Sequence, residues 1–341
     1  MIKRPVELTR HPFLVAPWVR RRTVDHMDPL SDLLRTVRLT GAYFYLVEAS
    51  PPWSVTAVSS REFLPNVLPD AEHLIPYHIL TEGECWAGLE GQPQVRMAPG
   101  DVIVFPQGNA HFMSSHRGQR STGHSHGAEP SRYPSTVHLG SGAVEARFVC
   151  GFLGLDARPF NPLLGALPQV ICLPRIADSW LAAFPEHAVR ESRTGRAGGD
   201  TMLTRMAELM FIEVLRRYLD SLGEERTGWL AGLRDPVVGR ALSLMHERPA
   251  QDWSLALLAR GVAASRSVLA ERFSHLVGIP VMQYLAKWRL QLAAELLSHS
   301  DASVAAVGRR VGYSSEAAFS RAFKRDVGES PASWRKRRRR D

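Results

Sequence analysis

Hydrophobic and polar positions alternate in short runs through residues 41–112 and take a helical period in the C-terminal half of the chain. Runs such as GAYFYLVEA, WSVTAVS, YHILTEGECWAGLEG and DVIVFP are separated by Gly and Pro turns, which is typical of a β-sandwich or β-barrel. Residues 115–142 are rich in Ser, Gly, His and Arg and predict a long loop, after which ARFVCGFLGLD predicts a further strand. The pattern therefore predicts a β domain followed by helices.

Helix signals flank this β-rich segment. Asp28 is placed to cap a helix that begins with Pro and carries leucines at helical spacing. Residues 1–26 are basic and show no sustained period, so we expect them to be poorly ordered, with Met27 as an alternative start. Beyond the β domain, SWLAAFPEHAVRES predicts a helix. Asp200 is then predicted to cap a long helix that Gly223 ends.

The long helix near residues 200–222 is apolar on more than one face. Its main stripe is widened by a second set of apolar side chains, so it must bury more than one surface. Packing against its own domain and a dimer interface both remain open. The apolar positions are Leu203, Met206, Met210, Val214 and Tyr218 in the stripe, with Phe211, Ile212, Leu215 and Leu219 beside it.

Two segments near the C-terminus, residues 253–280 and 302–331, repeat one another. Each predicts a short helix, a tight turn with small residues and a Ser-capped second helix, which is the helix-turn-helix pattern. A further predicted helix, VMQYLAKWRLQLAAELLSHS, separates the two units. The positions that recur are Leu255, Leu258, Val262, Leu269, Phe273 and Gly278, which match Val304, Val307, Val311, Phe319, Phe323 and Gly328.

The second helix of each unit has an apolar face and an opposite face of small and polar residues. Small side chains let a helix enter the major groove of DNA, and a few longer ones reach base edges. A plain helical bundle with solvated faces is the alternative. The candidates for base edges are Ser267, Ala270, Glu271 and Ser274 in the first unit and Glu316, Ala317, Ser320 and Arg321 in the second. The candidates for phosphates are Ser265, Arg266, Arg272, Ser315, Lys324 and Arg325.

The distribution of charge also favours a DNA-binding role for the C-terminal part of the chain. The net charge is +8, and residues 232–341 hold 19 Lys+Arg against 10 Asp+Glu, whereas the first 231 residues are nearly neutral. This asymmetry favours a polyanion-binding domain joined to a neutral one, although a merely solvated basic tail at Arg335–Arg340 would supply much of it.

Composition also bounds the location of the protein. The chain shows no apolar run long enough for a membrane span and no secretion signal. Three widely spaced cysteines fit free thiols in a reducing compartment. These features predict a cytoplasmic protein with no membrane partner.

Three segments, WRLQLAAELL, VAAVGRRVGYSSEAAFSRAFKR and GESPASWR, resemble the DNA-binding domain of the AraC/XylS family of bacterial transcription regulators. The resemblance covers residues 236–336 and implies a partner of double-stranded DNA. The chain departs from the family pattern at Val307-Gly308, where Ile-Ala is usual, and at Glu271, where a basic residue is usual. The second departure puts that contact in doubt; Arg272 is a candidate to replace it, and Glu271 can instead accept from a cytosine amino group.

The stretch GDVIVFPQGNAH resembles the second motif of cupin β-barrels, and residues 28–173 resemble the cupin sensor domain of an AraC-type subgroup. The places of the first cupin metal motif fall on Asp70, Glu72 and Pro76, so its usual ligands are missing. His78 and His111 are expected to point inward. Two histidines make no metal site by themselves, although Cys85 or Cys150 would complete one.

We expect an effector pocket inside the barrel, lined by His78, Trp86, Phe105 and His111, because such pockets combine an aromatic wall with a few polar groups. The alternative is an ordinary core that senses nothing. We predict no metal, no cofactor and no catalytic residues.

The sequence thus predicts an α+β multidomain protein: a cupin-like β-barrel followed by an all-α domain with two helix-turn-helix units. Its function is predicted as sequence-specific transcription regulation by a homodimer under a small-molecule effector, with RNA polymerase as a further candidate partner. Activation is the working expectation, and the residues leave repression open. The alternatives are a metal-dependent cupin enzyme fused to a DNA-binding domain and a DNA-binding protein with no effector. The predicted segments are 1–26 (extension), 27–174 (sensor), 175–231 (helical linker or dimerisation region), 232–336 (DNA-binding domain) and 337–341 (basic tail).

Overall fold

The computed structural model of the chain describes residues 28–37, 39–69, 71–118, 124–125, 136–175, 180–194, 196–223 and 226–338. The predictions made for residues 1–26 and for the end of the basic tail at 339–341 lie outside these ranges. No helix in the described ranges is both long and apolar enough to cross a membrane.

The β domain begins with helix α1 (Pro29–Thr36), which Asp28 caps as predicted by accepting from the N–H groups of Leu30 and Ser31. The strands in the described residues are β1 (Leu39–Ala49), β2 (Ser54–Ala57), β3 (His73–Glu82), β4 (Cys85–Gly88), β5 (Val95–Met97), β6 (Val102–Val104), β7 (His111–Ser114), β8 (His124–Ser125), β9 (Thr136–Leu139), β10 (Ala146–Leu155) and β11 (Ile171–Leu173).

These strands form two sheets that share one apolar core. The first sheet has the order β11-β6-β3-β10-β1-β9, and the second has the order β5-β4-β7-β2-β8. Val47 and Phe148 of the first sheet and Ala87 and Met113 of the second belong to the core between them. In the described residues the β domain is therefore a pair of facing sheets, a sandwich-like arrangement of the predicted fold.

Strand β3 is buried along most of its length because both faces of its sheet are covered. Leu74 and Leu80 lie in the core between the sheets. Ile75 and Ile79 belong instead to a second core on the outer face, which also contains helical residues. Such a strand reads as a continuous apolar run rather than a strict alternation.

Two local predictions for the β domain are wrong. The segment predicted as one long loop, 115–142, contains β8 and β9, and Val137 of β9 lies opposite Val47 in a parallel pair with β1. A helix, α2 (Ser60–Val67), also interrupts the segment predicted to be β-rich. The pattern missed it because it contains Pro65, which normally marks a turn.

Helices make up the rest of the described chain. The segment SWLAAFPEHAVRES is predicted as one helix, but its described residues form a 3₁₀ turn at Trp180–Ala182 and then a helix that begins at Phe184. The remaining helices are α3 (Pro162–Ala166), α4 (Phe184–Thr194), α5 (Gly199–Ser221), α6 (Trp229–Arg234), α7 (Pro236–Glu247), α8 (Leu255–Gly261), α9 (Arg266–Val277), α10 (Val281–His299), α11 (Val304–Arg310), α12 (Glu316–Val327) and α13 (Pro331–Arg338).

The predicted cap of α5 is wrong. The cap position is Gly198, which has φ 82° and makes no side-chain capping bond, and Asp200 lies inside the first turn. A carboxylate in that turn still stabilises the helix by facing its positive end. Leu203, Met210 and Val214 of this helix are buried in the core on the outer face of the first sheet.

The apolar cores do not follow the boundary between the β domain and the helices. The outer-face core runs from Leu33 of α1 through α5 to Met245 and Trp288, so it includes the first helix-turn-helix unit. The second unit has a separate core, which contains Phe319 and Trp334. Thus the first unit is continuous with the β domain and the second is not.

Candidate nucleic-acid interface and the interior of the β domain

The first helix-turn-helix unit consists of α8 and α9 with serine caps at both helix starts. Ser254 Oγ accepts from the Leu257 N–H at 3.2 Å, and Ser265 Oγ accepts from the Val268 N–H at 3.2 Å. Ala263 in the turn has φ 54°, the left-handed conformation that reverses the chain tightly. The sequence therefore sets the start of each helix through local hydrogen bonds.

The second unit, α11 and α12, repeats these contacts. Ser303 Oγ accepts from the Ala306 N–H at 3.1 Å, and Ser315 Oγ accepts from the Ala318 N–H at 3.2 Å. In its turn the left-handed position is taken by Gly312, with φ 93°. The repeat seen in the sequence is thus also a repeat in backbone geometry.

The second helix of each unit buries one face and exposes the other. Leu269 and Phe273 of α9, and Phe319 and Phe323 of α12, have no exposed surface. The predicted DNA-contacting residues lie away from these side chains, so the structure presents them to solvent on two helices. Ala270 and Ser320 are half-buried, and the exposed ones are Ser265, Arg266, Ser267, Glu271, Arg272, Ser315, Glu316, Ala317, Arg321, Lys324 and Arg325.

Arg272 is engaged within the protein. Its guanidinium forms an ion pair with Asp235, the residue that caps α7. Burial alone would raise the pKa of Asp235, but the Val238 N–H and Arg272 outweigh it, and the pKa is lowered. The idea that Arg272 replaces a missing basic residue at Glu271 is therefore not supported by its contacts.

Other predicted cations remain available. Arg266, Arg321 and Lys324 are exposed and, among the described residues, have no carboxylate in an ion pair with them. Arg325 pairs with Asp326 at 2.9 Å, and the arginine side chain stays 73% exposed. These side chains can turn toward an approaching phosphate or base without leaving a buried partner behind.

A further group of cations, not predicted from the sequence, lies on the first helix of each unit. Arg260 lies in the last turn of α8, and Arg309 and Arg310 lie in the last turn of α11; all three are exposed. Arg260 and Arg309 occupy equivalent positions in the two repeated units. This equivalence is the sequence signal that could have identified them.

In the described part of the C-terminal basic run, residues 335–338, three of the four cations bond to the protein itself. Arg335 Nε donates to the Leu297 carbonyl at 3.3 Å, and Arg337 pairs with Glu329 at 2.7 Å. In the described part of this run, Lys336 is exposed. The run through residue 338 is therefore part of helix α13 and not simply a solvated tail.

One contact of this run crosses to the β domain. Arg338 pairs with Glu72 and with Asp156, the latter at 3.4 Å. We call these three residues the interdomain ion-pair cluster. Nearby, the Phe160 N–H donates to Gln291 Oε1 at 2.9 Å, which joins the β domain to α10.

A buried polar chain lies between α1 and the first unit. Trp229 Nε1–H donates to Tyr284 Oη at 2.8 Å, and Tyr284 Oη lies 2.8 Å from His246 Nε2. His246 Nδ1 lies 3.9 Å from Asp32 Oδ2. Burial lowers the pKa of His246 to about 3 and raises the pKa of Asp32.

Three of the four predicted pocket residues meet inside the β domain. His78 Nε2 lies 2.7 Å from His111 Nε2, and the Phe105 ring stacks on His111 with centroids 3.9 Å apart. Since His111 Nδ1 donates to the Asn109 carbonyl at 3.0 Å, His78 Nε2–H must donate to His111. Burial lowers the pKa of His111 to about 4 and that of His78 well below its ordinary value.

The space beside this histidine pair is small. Its cavity volume is about 30 Å³, and its walls include Tyr45, Trp53 and Phe148. Trp86 does not line it; its ring lies instead under the guanidinium of Arg117 at 5.5 Å. The prediction that Trp86 belongs to the same pocket as the histidines therefore does not match its placement.

The donor set here does not suit a metal. Cys150 lines the cavity, but burial raises the pKa of its thiol well above the ordinary value and so disfavours the thiolate. Cys85 is not among the lining residues. Among the described residues, no three His, Cys, Asp or Glu side chains are arranged as a metal site. The enzyme alternative thus gains no support from this arrangement.

Comparison with known proteins covers both parts of the chain. A cupin family model matches residues 28–220, and a helix-turn-helix domain model matches residues 258–337. A Streptomyces lividans protein described as an AraC-like transcription regulator is 30% identical over 330 residues, covering 91% of this chain and 98% of that protein.

Two further comparisons are with another regulator and with a solved structure. The HTH-type transcriptional regulator AlkR of Acinetobacter baylyi is 27% identical, covering 91% of this chain and 99% of that protein. A solved transcriptional regulator with an AraC-type DNA-binding domain, from Chromobacterium violaceum, is 28% identical and covers 30% of this chain and 92% of that chain, with a TM-score of 0.29. The chain therefore belongs to the AraC-like transcription regulators that carry an N-terminal cupin domain, and it is a DNA-binding protein.

Proposed function

We propose that this regulator reads two successive major-groove segments, one with α9 and one with α12. The observation that carries the proposal is the repeated pair of serine-capped helices, each with a buried aromatic face and an exposed face of small and polar residues. Helix α10 joins the units and fixes their separation. Small side chains allow close approach, so the longer ones among them carry the sequence preference.

Arg321 is the proposed main base reader, because an unpaired arginine can donate two hydrogen bonds to guanine. Lys324 and Arg266 are proposed phosphate contacts, and we add Arg260 and Arg309 on the basis of their exposure at equivalent places in the two units. Phosphate contacts set position and affinity without reading sequence.

We also propose a homodimer formed through helix α5. Met202 and Leu209 on this helix are 55% and 54% exposed, and Met206 and Ile212 lie on the same side of the helix. A second copy would cover this apolar stripe, and Arg205 and Glu208 beside it carry opposite charges. A dimer would place two DNA-binding domains on repeated half-sites.

The sensor role of the cupin domain is the remaining proposal. A small ligand that binds one domain arrangement better than another would change DNA affinity. We propose action in the cytoplasm without catalysis, with RNA polymerase as a partner where the protein activates.

Fluorescence anisotropy with DNA from upstream of its own and neighbouring genes tests the DNA-reading proposal. Arg321→Ala should weaken binding to the specific segment by about 10- to 100-fold and leave scrambled DNA almost unaffected. Lys324→Ala should weaken both and lower the salt slope by about one. Arg96→Ala, an exposed arginine of the β domain, is the matched control. Equal weakening of both DNAs by Arg321→Ala would refute base reading by this residue.

A further inference from the structure

A cleft on the β domain is far larger than the cavity beside the histidine pair. It lies between helix α4 and the ends of β1, β3 and β10, and its volume is about 710 Å³. Small-molecule sites in proteins have volumes of roughly 300–1,000 Å³. The cleft, and not the packed interior with about 30 Å³, therefore has room for a ligand in the present structure.

The cleft has a substantial apolar wall. Buried strand residues contribute to one side, and helix α4 contributes to the other. A ligand with an apolar body would remove this surface from water, which is the main source of affinity in such sites. The apolar lining residues are Leu46, Val47, Leu80, Pro99, Phe148, Pro185 and Val189.

The charges that line the cleft are mostly paired with one another. Arg147 forms ion pairs with Glu48, at 3.2 Å, and with Glu82. On helix α4, Arg190 pairs with Glu186 at 2.5 Å. Each lining carboxylate thus already has an arginine partner, so a ligand cation would find no free carboxylate among the described lining residues.

Arg175 is the exception. It lines the cleft, and among the described residues no carboxylate pairs with its guanidinium. Its backbone N–H donates to Asp101 Oδ1 at 2.9 Å, and its aliphatic part lies against Gly100. A Cβ placed on Gly100 would come within 2.4 Å of Arg175 Cδ, so the glycine makes room for the arginine. The aliphatic part of Arg175 is therefore packed at the edge of the cleft, and the residue is exposed.

We propose that this cleft is a binding site for a small amphipathic anion, with Arg175 bound to its single anionic group and α4 covering its apolar body. The proposal rests on the proposed sensor role of the cupin domain and names its ligand class. Since α4 packs against α5, a ligand held between α4 and the sheet would also fix the position of the proposed dimer helix.

Two fluorescent dyes test the site on the full chain without DNA. Anilinonaphthalene sulfonate has apolar rings and one sulfonate, and phenylnaphthylamine has the same rings without the charge. Saturable binding of the sulfonate dye is expected, and Arg175→Ala should weaken it about tenfold, the effect of one charge-assisted hydrogen bond. The neutral dye should bind Arg175→Ala and the unmodified protein equally. Arg175→Lys keeps the charge, so its affinity for the sulfonate dye should lie between those of the unmodified protein and Arg175→Ala. Arg96→Ala should change the binding of neither dye.

Val189→Trp, which fills the cleft, should weaken the binding of both dyes. Such a loss would show that the dyes bind in the cleft. Circular dichroism confirms that each variant is folded. Unchanged sulfonate binding in Arg175→Ala, or an equal loss of both dyes there, would overturn the proposal. DNA anisotropy with and without the sulfonate dye separates this proposal from the sensor role: if the dye binds as expected but DNA affinity does not change, the sensor role fails while the binding site stands.

Discussion

Neutralising the interdomain ion-pair cluster should uncouple the second helix-turn-helix unit from the β domain. Arg338, Glu72 and Asp156 have side chains that are 16%, 8% and 15% exposed, so their interaction is only partly screened by water. The second unit has its own apolar core, and this cluster is a polar link from its last helix to the β domain. Arg338→Met removes the charge and keeps most of the aliphatic length.

The expected loss of stability depends on the contacts that Glu72 keeps when Arg338 is replaced. Breaking a fully buried ion pair by removing one partner typically costs about 3–5 kcal/mol. Here Glu72 still accepts from the N–H groups of Ala157, at 3.1 Å, and Arg158, at 2.8 Å, and still pairs with the Arg158 side chain. The carboxylate of Glu72 therefore keeps partners for its charge. We expect a smaller loss, about 1–2 kcal/mol in the free energy of unfolding.

A double-mutant cycle in urea isolates this interaction. Arg338→Met, Glu72→Gln and the double variant should give a coupling energy of about 1 kcal/mol or more. Arg337→Met is the matched control, because Arg337 is one residue away and pairs with Glu329 inside the helical domain. It should show no coupling with Glu72→Gln. A coupling for Arg338 below about 0.5 kcal/mol, within the usual additivity of independent sites, would refute the reasoning.

Four other substitutions and one pH series test the structure. Phe323→Ala should cost about 3–5 kcal/mol by opening a cavity in the core of the second unit, and it should abolish specific DNA binding; thermal melts and anisotropy measure both. Ala263→Gly should stabilise the first unit by up to about 1 kcal/mol, because glycine adopts the left-handed conformation without the strain that alanine has there. Gly312→Ala should destabilise the second unit, because the new Cβ would lie 2.9 Å from the Ala250 Cα. Urea midpoints measure the sign of both changes. Because the pKa of buried His111 is about 4 and an unfolded histidine titrates near 6.5, the unfolded chain binds more protons between these values. The contribution of His111 should therefore be constant above about pH 6.5 and fall by up to about 1.4 kcal/mol per pH unit as the pH is lowered toward 4, and buried His78 and His246 add to the total slope in the same direction. His111→Phe should make the slope smaller in urea titrations across that range, and an unchanged slope would contradict this prediction.

Local features of this chain could be predicted from the sequence, because they depend on neighbours within a few residues. Asp28, Ser265 and Ser315 cap helices through hydrogen bonds to N–H groups two or three residues ahead. The spacing of Phe319 and Phe323 likewise fixes which face of α12 is buried. Such contacts recur wherever the same local pattern occurs, so one sequence is enough to find them.

Contacts between distant residues could not be predicted in this way. Arg272 is adjacent to the reading face by spacing, yet it pairs with Asp235, which caps a different helix. Trp86 shares an aromatic character with Phe105, but strand pairing places it away from the histidines. These outcomes depend on the three-dimensional position of whole elements, which the hydrophobic period does not specify.

The Gly198 cap of α5 shows a third limit. A side-chain cap is expected from an acidic residue before an apolar helix, and Asp200 fits that pattern. The structure begins the helix earlier, at a glycine in the left-handed conformation. Boundaries shift by one or two residues because backbone conformation at a single glycine can replace a side-chain bond.

The separate core of the second unit has a consequence for local unfolding. Because Leu290, Phe319 and Trp334 belong to a core apart from the one that joins α1, α5 and α7, the second unit can open while the rest of the chain stays folded. Amide hydrogens of α12 should then exchange with solvent faster than those of α7, whose Val238 and Leu242 lie in the larger core. Binding to DNA would slow exchange most in α12, so part of the binding free energy would be spent on holding this unit closed.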